Sequence, residues 1–186
     1  MIKDSDGNEY SIYELSSVDI TELMDLCYSK NDSEAMCALG YCYENGINGL
    51  AVNKEEAFKL YCMAADKGEA NGIYNKGVCL GFGIGSGKEK DARGWLTNIK
   101  KAAEMGFAPA QNDYGWAFEM AKDKGFFDVK DLKEAFKWYL KSAMQDHHTG
   151  IENVIRCYKE GIGTQKDLKK ALEWECRLYG SKEQAD

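Results

Sequence analysis

Four stretches of the chain share one frame: Ala35-Met36-Cys37-Ala38-Leu39-Gly40-Tyr41-Cys42-Tyr43, Gly72-Ile73-Tyr74-Asn75-Lys76-Gly77-Val78-Cys79-Leu80, Ala110-Gln111-Asn112-Asp113-Tyr114-Gly115-Trp116-Ala117-Phe118, and Gly150-Ile151-Glu152-Asn153-Val154-Ile155-Arg156-Cys157-Tyr158. Small, large, small, large recurs at steps of four, one and three, which sets those positions on one face of a helix. Each stretch therefore predicts a short helix whose apolar stripe is notched by small residues, so that another helix can approach closely.

A second frame follows each first one: Ala57-Phe58-Lys59-Leu60-Tyr61, Ala92-Arg93-Gly94-Trp95-Leu96, Ala135-Phe136-Lys137-Trp138-Tyr139 and Ala171-Leu172-Glu173-Trp174-Glu175. Three of these run into a small pair and a break, at Ala64-Ala65 to Gly68, Ala102-Ala103 to Gly106, and Ser142-Ala143 to Asp146. Glycine past a last turn is the expected stop because it takes the left-handed conformation without steric cost, and Asp146 is a weaker one. Asn53 and Asp131 stand three residues before Glu56 and Glu134, the pattern of a helix start, and Asp167 holds the same place in the fourth copy. Glycine-bearing turns at 46–49, 83–85 and 161–163 join the helices within a copy, and the third copy has a longer connection around 122–130. A helix hairpin of this size cannot bury both its faces, so neighbouring hairpins must stack.

Taken together the frames resemble the Sel-one-like repeat, a relative of the tetratricopeptide repeat. The resemblance covers about residues 33–180 and departs at Lys76, where Leu is usual, and at Ile155, where Gly is usual. It implies an all-α fold: a right-handed superhelical solenoid of about four helix-turn-helix repeats, at about 33–68, 70–106, 108–146 and 148–180. The amphipathic stretch 19–30 reads as an N-terminal capping helix, making 19–186 one solenoid domain. Residues 1–18 form a segment of uncertain structure, with a turn signal at Asp6-Gly7-Asn8 and a short extended stretch near Tyr10–Tyr13. The tail 181–186 is polar and expected to fray.

Composition excludes several classes. The chain has 186 residues, 24 Lys+Arg against 31 Asp+Glu, and a net charge of −7, a poor match to a phosphate backbone. Residues 1–62 hold 12 acids and 4 lysines, so nearly all the excess acidity lies in the first third and suits a basic partner there. No apolar run nears the roughly 20 residues that cross a bilayer, and the start of the chain lacks the basic-then-apolar pattern of an export signal, so the expected location is cytoplasmic. The seven cysteines form no Cys-x-x-Cys pair and His147 and His148 are adjacent, which argues against a disulfide framework and against zinc. Gly81 to Lys88 is rich in glycine, yet its spacing fits neither phosphate-loop pattern and a turn explains it. The paired histidines read as a solvated helix end.

No cofactor, metal site or catalytic residue is expected. The tetratricopeptide relative binds ligands on a concave face built by the first helix of each pair, and the resemblance assigns that face here to Glu34, Cys37, Tyr41 and Glu44, to Asn71, Tyr74 and Val78, to Asn112, Trp116 and Glu119, and to Glu152, Arg156 and Lys159. Tyr41, Tyr74 and Trp116 are not required by the frame, and Trp116 is the strongest candidate anchor, against the competing reading of burial beside a neighbouring helix. The expected function is a non-catalytic protein-protein interaction module, an adaptor or scaffold for a peptide or protein partner, binding neither nucleic acid nor membrane. The alternatives are a dedicated immunity-type inhibitor of one partner enzyme and, less favoured, a penicillin-binding or penicillin-hydrolysing enzyme like the cysteine-rich relatives.

Overall fold

The computed structural model describes residues 2–3, 9–10, 19–120 and 131–180. The connection at 122–130, the stretch 11–13 and the tail 181–186 lie outside the described residues. Nine helices are found among the described residues: α1 Ile20–Tyr28, α2 Ser33–Asn45, α3 Lys54–Asp66, α4 Ala70–Phe82, α5 Ala92–Glu104, α6 Ala108–Glu119, α7 Leu132–Ala143, α8 His148–Glu160 and α9 Leu168–Tyr179. Two short strands, β1 Ile2–Lys3 and β2 Glu9–Tyr10, pair antiparallel with Ile2 opposite Tyr10. Of the extended stretch expected at 10–13, Tyr10 lies in β2 and the remainder is outside the described residues. The fold is all-α in class, built of helix hairpins, and divides into two compact units, Met1–Asn98 and Ile99–Asp186, the division falling inside α5.

The helix boundaries follow side-chain chemistry. Asp32, Asn53, Asp131 and Asp167 each accept a hydrogen bond from a backbone N–H of the first turn that follows, at 2.7 to 3.1 Å, satisfying donors that have no partner within the helix. Gly46, Gly83 and Gly161 end α2, α4 and α8 in the left-handed conformation. At the ends of the second helices Gly68 and Gly106 have φ of 82° and 94°, and Asp146 adopts φ 59° in the same role. Asp146 carries the steric cost of a side chain there, and its carboxylate accepts from Arg177 Nε at 2.7 Å. His147 does not sit in a solvated helix end: its Nδ1 accepts from the Gly150 N–H at 3.3 Å and caps the start of α8.

In the first unit α1 packs on α2, α2 on α3 and α3 on α4, and their buried residues include Leu23, Cys27, Met36, Leu39 and Leu60. The small residues of the frame are explained by what they touch. A Cβ on Gly40 would lie 2.7 Å from Tyr61 Cε1, and one on Gly72 would lie 2.8 Å from the Ala65 backbone nitrogen. In the second unit Gly115 lies against Tyr139 and Gly150 against Ser142 and Ala143, at comparable separations. Glycine at the sixth frame position seats the tyrosine of its own hairpin, and the first small residue seats the preceding hairpin.

The departure at Ile155 now has a physical reason. Glu175 stands on α9 where α3 and α7 carry Tyr61 and Tyr139, so no ring needs the notch that glycine would leave. Ile155 fills that space and is buried, with Trp174 packed against the same cluster.

Candidate functional site

Two side-chain positions on successive first helices meet in the second unit. Glu119, at the end of α6, accepts from Arg156 of α8 through both guanidinium nitrogens, Nη1 to Oε1 at 2.9 Å and Nη2 to Oε2 at 2.7 Å. Tyr139 Oη donates to the same Oε2 at 2.7 Å. Asn153 Nδ2 donates to Asn112 Oδ1 at 2.8 Å, and Arg156 Nη2 reaches Asn153 Oδ1 at 3.2 Å. Glu119 is only 5% exposed, and a carboxylate so buried requires this pairing. Burial pushes the Tyr139 hydroxyl up, reinforced by Glu119, and the bond to Glu119 holds the Arg156 guanidinium charged.

The first unit repeats the frame with one difference. Tyr61 Oη donates to Glu44 Oε2 at 2.8 Å, as Tyr139 does to Glu119. Burial raises the Tyr61 pKa, again reinforced by the neighbouring carboxylate. The position matching Arg156 is Val78 on α4, so among the described residues Glu44 has no cationic partner and its Oε1 no donor. Glu44 is half-buried.

The other residues expected on the binding face are distributed as follows. Glu34 is exposed in the first turn of α2, where its charge favours the helix N-terminus. Tyr41 is half-buried and packs on the core of the first unit. Asn71 Oδ1 accepts from Asn75 at 2.8 Å, and Tyr74 is half-buried. Trp116 is half-buried and packs against the core of the second unit. Glu152 is exposed and 3.5 Å from His148 on its own helix. Lys159 pairs with Glu175 of α9, so it closes its own hairpin and does not meet α6. The structure therefore brings Asn112, Glu119 and Arg156 into one network and leaves Glu152 and Lys159 outside it.

Sequence reasoning missed Asn153, Tyr61 and Tyr139. A signal for the tyrosines existed: Glu44 with Tyr61 and Glu119 with Tyr139 recur as pairs, and the fourth copy replaces both members at once, by Lys159 and Glu175.

Other chemistry is muted. All seven cysteines are free thiols; burial pushes Cys27 and Cys157 up to about 11 and Cys79 to about 12, so they are held as thiols and are poor nucleophiles. Among the described residues no group of three or more His, Cys, Asp or Glu side chains is placed to hold a metal ion, and no helix is long and apolar enough to cross a membrane. The glycine-rich stretch 81–88 forms the end of α4 and the turn after it, and the start of α5 that follows is already filled, since Asp91 Oδ1 accepts from the Gly94 N–H at 2.8 Å. A phosphate there would face a carboxylate.

Comparison with known proteins agrees with this architecture. The chain is 35% identical to chitin synthase regulatory factor 3 of Schizosaccharomyces pombe over 81% of its length and 20% of that protein. It is 26% identical to cytochrome c oxidase assembly factor 7A of Xenopus laevis over 78% of its length and 63% of that protein. It thus spans less than two thirds of each of these relatives. A Sel1 repeat protein from Oxalobacter formigenes superimposes with a TM-score of 0.68 at 25% identity, covering 90% of this chain and 66% of that one. A protective antigen of uropathogenic Escherichia coli, described as displaying an SLR fold, gives 0.67 at 25% identity, covering 91% and 33%. The Sel1 repeat model matches residues 33–69, 108–147 and 150–174, three of the four copies and more than half of the chain. On repeat frame, hairpin packing and family match together, the chain belongs to the Sel1 repeat family.

Proposed function

We propose that the chain is a non-catalytic protein-protein interaction module, an adaptor or scaffold that takes a peptide or protein partner on the first-helix faces of its repeats. One observation carries the reading: the first helices present aromatic side chains, Tyr41, Tyr74 and Trp116, that stay partly exposed, Tyr41 and Trp116 while also packing on the core of their unit. Such side chains supply contact area at low entropic cost. The relatives named as a regulatory factor and an assembly factor support it, because both descriptions fit proteins that act on others by contact. The acidic first third favours a basic segment of the partner toward that end. Nucleic acid and membrane are not the expected partners, given the net charge of −7. Seven cysteines without regular pairing suit a reducing compartment such as the cytoplasm and speak against a penicillin-hydrolysing reading, which thiol titration of the denatured chain tests by counting seven free thiols.

Affinity capture from native lysate at low and high salt tests this. Wild-type chain should retain a defined partner at low salt and release part of it at high salt. Trp116→Ala and the pair Glu34→Lys with Glu44→Lys should each weaken capture, with folding checked by circular dichroism. Unchanged capture by both variants overturns the assignment of the face.

A further inference from the structure

The two units contain the same Tyr–Glu pair, joined by a guanidinium in the second and, among the described residues, by no cation in the first. In the second unit a carboxylate at the end of a first helix, Glu119, holds the tyrosine of its own hairpin and the arginine of the next first helix, Arg156. The first unit reproduces the frame around the equivalent pair closely. Gly40 seats Tyr61 as Gly115 seats Tyr139, and Gly72 seats the Ala64-Ala65 pair as Gly150 seats Ser142-Ala143. Gly85 lies on the Lys54 carbonyl with Phe58 Cβ at 3.0 Å from where its own Cβ would be, as Gly163 lies on the Leu132 carbonyl with Phe136 Cβ at 2.9 Å. The guanidinium is absent, because Val78 stands in place of Arg156, and Cys37 stands in place of Asn112.

From this internal template we infer that Glu44 with Tyr61 is a receptor for one arginine side chain of a protein partner, seated as Arg156 is seated on Glu119 and Tyr139. The inference rests on the interaction-module reading and adds the chemistry of the partner. Arginine fits better than lysine because both carboxylate oxygens are to be filled at once: among the described residues Oε1 has no donor and Oε2 has only Tyr61. A planar fork does that and a point charge does not. The phenol fixes the carboxylate before the partner arrives, which lowers the ordering cost of binding. The surplus of acids over lysines in residues 1–62 adds attraction of the right sign.

Short random peptides displayed on phage and selected against the full chain provide the probe. The enriched peptides, remade with each arginine in turn replaced by citrulline, which keeps the shape and removes the charge, should contain one arginine whose replacement weakens binding about ten-fold or more. The same peptides should lose affinity for Glu44→Gln by a similar factor. They should fail to bind Val78→Arg, which supplies the guanidinium from within while the variant keeps its circular dichroism and melting temperature. If enriched peptides bind without dependence on arginine, or bind wild-type and Glu44→Gln alike, the receptor is wrong and the interaction-module reading stands. If no peptide is enriched, both fall.

Discussion

Glu119 and Glu44 occupy one position in two copies, yet their surroundings give them different energetics. Glu119 is buried and accepts from Tyr139 and twice from Arg156, so Glu119→Gln leaves the guanidinium short of its counter-charge. With Arg156 about one third exposed, the loss should be about 2 kcal/mol, below the full cost of breaking a buried pair. Glu44→Gln, half-buried and bonded to one phenol, should cost less than about 1 kcal/mol. Urea denaturation of the two variants measures the difference, and equal costs would contradict it. His147 gives a prediction in pH. Burial, then the neighbouring His148, hold its pKa below the ordinary 6.5, and only the neutral ring can accept from the Gly150 N–H. A group with a depressed imidazole pKa binds fewer protons folded than unfolded, so its contribution is complete above pH 6.5 and is lost as pH falls from there through the folded-state value. The contribution is about 1 kcal/mol, the usual worth of a cap. His147→Asn, which caps without titrating, should flatten the decline in melting temperature below pH 6.5; an unchanged profile would count against the cap.

At the scale of elements, the hairpins are specified by pairs of residues that change together. Gly85 and Gly163 have φ of 62° and 66°, and a Cβ on either would run into a backbone carbonyl of the preceding second helix, at Lys54 or Leu132. Gly85→Ala and Gly163→Ala should therefore each cost about 3 kcal/mol, conformational strain and overpacking combined. Asn48 holds the same turn position in the first copy with φ 56° and its Nδ2 donates to Cys42 Sγ at 3.9 Å, so Asn48→Ala should cost about 1–2 kcal/mol, left-handed strain and the lost bond combined. The fourth copy offers the complementary test. Glu175→Tyr alone places a ring against Ile155, and Ile155→Gly alone empties a buried site, but the double variant rebuilds the Gly–Tyr arrangement of copies one and three. The cycle should show favourable coupling of at least about 1 kcal/mol, read from denaturation midpoints; additive costs would contradict the pairing. The helix pairs were legible in the sequence because apolar period, capping residues and glycine stops act within one hairpin. The role of His147 was not, because whether a polar residue between two helices ends one or begins the next depends on which backbone groups reach it.

At the scale of the whole molecule, four copies of one frame explain why the fold was readable while the candidate site was readable only in part. Stacking needs a face, and the face is written in each copy; contact between copies needs the register between neighbouring helices, which no single copy contains. Glu152 and Asn153 show the consequence. They are one residue apart, about 100° around a helix, and it is Asn153 that meets Asn112 while Glu152 stays with His148 on its own helix. The sequence puts Glu119 and Arg156 on first helices without showing their partnership, and it shows Tyr61 and Tyr139 in the second frame without the carboxylate that each holds. Within each unit consecutive first helices meet at one repeated register, filled by Arg156 in the second and, among the described residues, without a cation beside Glu44 in the first. A double-mutant cycle in the first unit tests it most directly: urea denaturation of wild-type, Val78→Arg, Glu44→Gln and the double variant. Val78→Arg should stabilise the chain, or cost nothing, only while Glu44 is present, with a coupling of about 1–2 kcal/mol. A Val78→Arg cost that is the same with Glu44 and with Gln at that position would contradict it.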